Sequence, residues 1–459
     1  MSRSVLWFRR DLRLHDNPAL LAAAASEQVL PLFVIDPRLW GPSGPRRRAY
    51  LAASLRALDA SIGGALVIRR GNPAEVVAAV ARDVDAGAVH VAADYQPYGR
   101  ERDNRVQQAQ ALAAARIELV RTGSPYVVAP GRVRKADGEP YTVYSPFYRA
   151  WLRHGWRDPA PDPGPVAWLS GVADEGLPDV ADIADLPIAG EDEARRIWQG
   201  FLDSDEPGSG VGGYGANRER PDLPGTTRMS VHLKYGEVHP RTMLADLAGV
   251  PAEQQTGAET LRGELAWRDF YADVLFHRPD SARAYYKPAM ASMHYDSGPD
   301  AAAALSAWQQ GRTGFPIVDA GMRQLLREGW MHNRLRMIVA SFLVKDLHLE
   351  WTAGARWFMR QLVDGELSSN QHGWQWVAGS GTDAAPYFRI FNPVTQGQRF
   401  DPDGDYVRRY VPELRHLPGR SVHTPWEAAD GYAHGYPEQL VDHGVERREA
   451  LARYQQLRE

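Results

Sequence analysis

The sequence predicts an α/β N-terminal domain, a doubly wound five-stranded parallel sheet, followed by a large all-α domain. Three observations carry this. The first 120 or so residues alternate short apolar runs with alanine-rich helical stretches. Residues 158–193 lose all periodicity, and beyond residue 193 almost every segment has helical spacing. A chain of 459 residues is long enough to bury a sizeable core in each of two domains.

The elements follow in order. Val5–Phe8, Val29–Ile35, Leu66–Ile68, Ala88–Ala92 and Ile117–Val120 are continuous apolar runs, the pattern of strands buried on both faces. Ala19–Ala25, Arg47–Ala60, Pro73–Arg82 and Gly99–Ala115 lie between them with helical composition and spacing. Residues 1–130 form the first domain on this basis, 131–195 an irregular connector and 196–459 the helical domain. Thr256-Gly257-Ala258-Glu259 has the form of a capping box, opening a helix to about His277, before Pro279. Another helix is expected from about Asp319 to Leu349.

Composition narrows the function classes. The absence of cysteine excludes disulfides, thiolate metal sites and iron–sulfur clusters, and no metal is expected. Val5–Phe8 is too short for a signal-peptide core, and no run approaches membrane-spanning length, so a soluble, cytoplasmic monomer is expected. The net charge of −4 conceals an asymmetry: Asp158 to Ala194 holds ten acidic residues and no Lys or Arg. Without that segment the chain carries +6, which permits nucleic-acid binding without requiring it.

Several clusters bear on chemistry. Gly210-Val211-Gly212-Gly213-Tyr214-Gly215 satisfies G-x-G-x-x-G but follows no strand, so it reads as a flexible turn, not a dinucleotide fingerprint. Gly225 to Ser230 gathers Thr226, Thr227, Arg228, Met229 and Ser230 before a helix, as either a pyrophosphate cradle or an ordinary helix cap. Glu264, Trp267 and Arg268 share one helical face, as a recognition surface or as an exposed ion pair beside a half-buried indole. Trp330, Asn333 and Met337 share another face by i, i+3 and i+7 spacing. Trp374 and Trp376, two apart, point to different sides of an extended or turning segment.

Two long blocks surround these residues: TGFPIVDAGMRQLLREGWMHNRLRMIVASFLVKDLHLEW from Thr313 and DGELSSNQHGWQWVAGSGTDAAPYFRIFNP from Asp364. With VLWFRRDLRLHDNPAL from Val5, they resemble the DNA photolyase/cryptochrome family along essentially the whole chain, on its class I, cyclobutane-dimer side. The resemblance implies repair of cyclobutane pyrimidine dimers in DNA. Light drives an electron from reduced FAD to a flipped-out dimer, whose cyclobutane bonds then open.

The same resemblance assigns roles. Tyr214 would pack on the flavin, and Thr226 to Ser230 would hold its phosphates. Arg336, Asp364, Gly365, Glu366 and Asn370 would meet its ring system, with Asn370 at N5. Glu264 and Asn333 would bind the polar edges of the lesion, Trp267 and Trp376 would flank it, and Met337 would line its pocket. Arg218, Arg268, Tyr271 and Gln396 complete the DNA-contacting set. Electrons for flavin reduction would pass from Trp374 to Trp351 and then to Tyr295, with Trp308 as the other candidate for third place. No histidine stands at the Asn333 and Met337 positions to move a proton, which favours cyclobutane dimers over six-four photoproducts. The rival is a blue-light sensor of the cryptochrome type, against which stand Asn370 and the chain's end at Glu459 soon after a last helix. A second, antenna chromophore is expected at Phe33, Asp36, Arg47, Asp94 and Gln96. Tyr98-Gly99 stands where folate binders carry Asn-Glu, which favours a deazaflavin over methenyltetrahydrofolate.

Overall fold

A computed structural model describes residues 1–204, 206, 208–382 and 388–457. They divide into two compact units: Met1–Ser204 with Thr227–Pro279, and Asp205–Thr226 with Asp280–Glu459. The first unit therefore includes the helix Gln255–His277, well beyond the boundary at residue 130 that composition suggested.

The first unit is built on a parallel sheet of β1 (Arg3–Phe8), β2 (Gln28–Ile35), β3 (Val67–Arg70), β4 (Ala88–Val91) and β5 (Glu118–Arg121), in the order β3-β2-β1-β4-β5. Val5, Leu6, Trp7 and Phe8 of the central strand are at most 1% exposed, as a strand covered on both faces must be. Strand-to-helix turns share a local code. Asn17, Asp36 and Asn72 each accept a backbone N–H at the start of a helix whose next residue is proline, where a missing N–H costs nothing. Within the connector, Ile68 N donates to Asp174 and Glu175 N to the Ile68 carbonyl, so irregular chain covers the open edge of β3.

The second unit is helical. Its core joins Trp308, Phe315, Phe342, Trp351, Phe358 and Trp374. The motif Thr313-Gly314-Phe315-Pro316 through Asp319 has a physical reason: the buried Asp319 carboxylate accepts from Thr313 N and Oγ1, Gly314 N and the Tyr436 hydroxyl. Gly314 has φ +78°, and a Cβ there would lie 2.3 Å from the Glu438 carbonyl oxygen.

The structure corrects several expected elements. Gly99–Ala115 is two helices, Pro97–Gln107 and Gln110–Ala115; the break lets Val106 and Leu112, on different faces of a continuous helix, both reach the core. Thr256 is not an N-cap. A 3-10 turn at Ala252–Gln254 leads into Gln255–His277, placing Thr256 inside the first turn, where its carbonyl accepts from Thr260 Oγ1. Asp319–Leu349 is likewise two helices, Pro316–Glu328 and Asn333–Lys345, because Gly329 turns left-handed at φ +64°. Trp330 consequently leaves the face shared by Asn333 and Met337. The glycine run is not a turn but the helix Gly210–Asn217, with Gly213 pressed against the Gly208 backbone. Trp374 and Trp376 lie on a helix, Leu367–Ala378, where two positions still separate side chains by about 200°.

Candidate functional site

In the first unit, Glu264, Trp267, Arg268 and Tyr271 are all half-buried on the helix Gln255–His277. The opposite face anchors it. The Asp269 carboxylate accepts from Val127 N, Val128 N and Trp151 Nε1 at 3.3, 2.9 and 3.0 Å, and Asp273 accepts from Gly131 N at 2.6 Å. Burial pushes Asp269 up to about 7 despite those donors. On the outer face the Trp267 ring lies 3.6 Å from that of Tyr144, nearly parallel, and 5.3 Å from Tyr271. Tyr144 is fixed by its hydroxyl, which donates to the Gly263 carbonyl at 2.7 Å. Arg268 is built into the packing: Nη1 donates to the Pro125 carbonyl, Nη2 to that of Leu233, and the guanidinium stands 4.7 Å over Tyr126.

The hydroxyl run does not serve as an ordinary cap. No side chain caps the helix Ser230–Tyr235; Thr227 Oγ1 accepts from Met229 N instead, and Arg228 is left-handed at φ +52°. Met229 is 1% exposed, while Arg228 and Ser230 face outward. Thr226 falls in the second unit, half-buried.

Of the expected antenna residues, Phe33 and Asp36 lie at the carboxyl end of β2, Asp94 and Gln96 follow β4, and Arg47 lies on the helix Pro45–Ser61. Asp36 caps a short helix through Arg38 N and accepts from the Tyr98 hydroxyl. Burial works to raise Asp94, but Arg102 at 3.1 Å, Arg9 and Arg10 outweigh it and hold the carboxyl below its ordinary value. A Cβ at Gly99 would fall 2.1 Å from the Asp94 carboxyl, so glycine is required beside Tyr98. Arg47 Nε and Gln96 Nε2 are buried donors with no acceptor among the described residues, and Phe33 is 7% exposed.

In the second unit Tyr214 is buried on its helix, with the Arg218 guanidinium 5.7 Å over the ring. Asn333 is exposed at the start of the helix Asn333–Lys345, behind His332, whose Nδ1 accepts from Arg334 N; Met337 is half-buried one turn on. Arg336 donates through Nε to the Met331 carbonyl and through Nη2 to Asp364 Oδ2 at 2.7 Å. The other oxygen of Asp364 is buried and accepts nothing among the described residues. Gly365 and Glu366 are buried beside it. The Asn370 amide nitrogen donates to the Ala355 carbonyl and to Gln371 Oε1, which leaves its own oxygen as the group on offer. A buried acceptor with spare capacity beside a fixed arginine suits a ligand with ring N–H groups, as an isoalloxazine has.

The ring system continues inward. Trp374 is 3% exposed and packs on Gly354, where a Cβ would meet its ring at 2.1 Å. Trp308 meets it edge-on at 6.1 Å and is wholly buried, as is Trp351 on the Gly354 helix. Trp351 meets Tyr285 edge-on at 5.9 Å, and Tyr295 lies beside Tyr285. Trp376 and Gln396 are half-buried. Two groups escaped the sequence. Tyr144 had no signal, since a tertiary contact pairs it with Trp267. Glu350, immediately before Trp351, could have been flagged as the nearest carboxylate to that indole.

Comparison with known proteins agrees along the chain. Residues 4–165 match the family described as DNA photolyase, and residues 261–456 that described as the FAD binding domain of DNA photolyase. A deoxyribodipyrimidine photo-lyase of Streptomyces griseus is 40% identical over 474 residues, covering 100% of this chain and 99% of the relative. A bacterial class III photolyase from Agrobacterium tumefaciens superposes with a TM-score of 0.89 at 36% identity, over 100% of this chain and 98% of that one. An archaeal photolyase from Sulfolobus tokodaii, solved with two FAD molecules, gives 0.84 at 26% identity, over 99% and 100%. No described helix is long and apolar enough to cross a membrane.

Proposed function

The chain belongs to the DNA photolyase family, and from that premise we propose how its residues carry out light-driven repair of DNA. It is a deoxyribodipyrimidine photo-lyase that uses FAD, and repair is favoured over a sensor role. Bound FAD, reduced and excited by light, would supply the electron that opens the two ring bonds of a cyclobutane pyrimidine dimer and would take it back afterwards.

Asp364, oriented by Arg336, takes an N–H of the flavin ring, and Gly365 and Glu366 shape the wall around it. Asn370 turns its oxygen to the flavin N5 position, where an N–H can donate to it. Thr226 to Ser230 hold the pyrophosphate, and Tyr214 packs on the flavin. Glu264 and Asn333 hydrogen-bond the pyrimidine edges, while Trp267 and Trp376 flank the bases and Met337 excludes water. Arg218, Arg268, Tyr271 and Gln396 contact the DNA. In the antenna site, Arg47 Nε and Gln96 Nε2 donate to a deazaflavin; a folate of the Asn-Glu type is disfavoured because Gly99 admits no side chain.

The observation that carries the flavin assignment is the spare buried oxygen of Asp364 beside Arg336. Mass spectrometry of chromophores released from purified protein, with illumination of dimer-bearing oligonucleotide, tests the whole proposal. FAD plus light-dependent monomer formation is expected. Absence of FAD, or repair in darkness, would refute it.

A further inference from the structure

Tyr285 meets Trp351, and it has what a tyrosine needs to be oxidised. Its ring stands edge-on to the indole, 5.9 Å between centroids and 85° between planes. Its hydroxyl donates to Glu350 Oε1 at 3.0 Å. Glu350 is the N-cap residue of the Trp351–Gln361 helix, but its side chain makes no capping bond; its second oxygen accepts from Thr352 Oγ1 at 2.8 Å, which fixes the carboxylate facing the phenol. Glu350 is half-buried, so a proton received there has a way to solvent, whereas Trp351 is wholly buried with an indole N–H that has no acceptor among the described residues. An oxidised Trp351 therefore has no base of its own.

We propose that Tyr285 and Glu350 form a proton-coupled electron exit from Trp351, in place of the Tyr295 that the family resemblance implied. The inference rests on the flavin and Trp374 assignment, under which Trp374 would give an electron to photoexcited oxidised flavin and would be refilled from Trp351. Tyr285 then gives one electron to the Trp351 radical cation and its phenolic proton to the Glu350 carboxylate. The products are a neutral indole, a neutral phenoxyl radical and a neutral carboxylic acid, so charge and electrons balance. Moving the proton with the electron avoids a half-buried phenol cation, a costly species away from bulk water. Tyr295, beside Tyr285, stabilises or receives the radical only after this step.

Transient absorption of the oxidised, flavin-loaded protein is the test, with the radical identified by EPR after ring-deuteration of tyrosine. Wild type should convert a tryptophan radical into a tyrosyl radical, slowed roughly twofold in D2O because a proton moves in the step. Tyr285→Phe should abolish the tyrosyl signal and cut net photoreduction by about tenfold, equivalent to about 1.4 kcal/mol. Glu350→Gln should slow tyrosyl formation and remove the D2O effect, with Glu350→Asp partly restoring both. Tyr295→Phe should still form the radical. A tyrosyl signal that survives Tyr285→Phe, or disappears in Tyr295→Phe, overturns the proposal and leaves the flavin assignment intact. A wild type that forms no tryptophan radical, with Trp374→Phe indistinguishable from it, overturns that assignment and the proposal with it. Flavin content and unfolding midpoint of each variant separate these outcomes from misfolding.

Discussion

The indole of Trp267 lies flat on the ring of Tyr144, 3.6 Å between centroids and 8° between planes. One face of the tryptophan is therefore occupied, and we propose that a base stacks on the other. Trp267→Ala should weaken binding of dimer-bearing oligonucleotide by about 1–3 kcal/mol. Tyr144→Ala, which removes the support alone, should cost about 0.5–1.5 kcal/mol. Fluorescence anisotropy measures both, and unchanged affinity in Trp267→Ala would remove it from the lesion site.

We assign Glu264 and Asn333 to the polar edges of the pyrimidines. Glu264→Ala and Asn333→Ala should each lower repair or affinity by about 1–3 kcal/mol, the cost of an unmet hydrogen bond. Repair yield per bound photon and affinity, measured separately, show which step each residue serves. Wild-type values for both quantities would exclude the residue.

Deleting Arg336 strands the buried Asp364 carboxylate, a change that typically costs about 3–5 kcal/mol. Arg336→Ala should therefore purify with less flavin per protein and unfold at lower temperature. Asp364→Asn, which removes the charge and replaces one acceptor oxygen by an N–H donor, should lose flavin with a smaller loss of stability. Full flavin occupancy in both variants would move the ring site elsewhere.

Affinity for DNA should fall as salt rises, with a slope set by the number of phosphates neutralised. Arg218→Ala should reduce that slope by about one and weaken lesion and plain duplex alike, leaving the yield from bound substrate intact. A lowered yield at unchanged affinity would contradict a phosphate role.

His372 links the helix Leu367–Ala378 to Ser281: Nδ1–H donates to the Ser368 carbonyl at 2.8 Å, and Nε2 accepts from Ser281 Oγ at 2.9 Å. Burial pushes its pKa down to about 4 from an ordinary 6.5. The unfolded chain binds the proton more readily than the folded one, so the stabilisation is full above about pH 6.5 and drains away as pH falls toward about 4. The loss at the acid end is roughly 3 kcal/mol. Denaturant titrations across this range should show the fall, and His372→Gln should flatten it. An acid limb unchanged by the substitution would assign the loss to other groups.

Much of the fold was legible locally. All five apolar runs lie within two residues of their strands because continuous apolarity over a few residues leaves no other buried structure, and the steps Asn17-Pro18, Asp36-Pro37, Asn72-Pro73 and Asn392-Pro393 each open a helix. Interruptions were less legible. Glycine at 329 tolerates both a helix interior and a left-handed turn, and nothing nearby in sequence says which. The site divides the same way. Long motifs named Asp364, Asn370 and Trp374 together, but the spacing of Thr256 to Glu259 imitated a capping box that the preceding 3-10 turn displaced.

The sequence by itself determined the class of each half, the family and the residue types available for chemistry, because periodicity and long motifs are properties of neighbouring positions. Tertiary structure alone decided which partners those residues keep. Tyr144 reaches Trp267 across 123 positions, and Tyr285 reaches Glu350 across 65. Such pairs are selected by the free energy of burying both groups at once, with rings sharing area and a phenol finding an acceptor, and no local pattern encodes that.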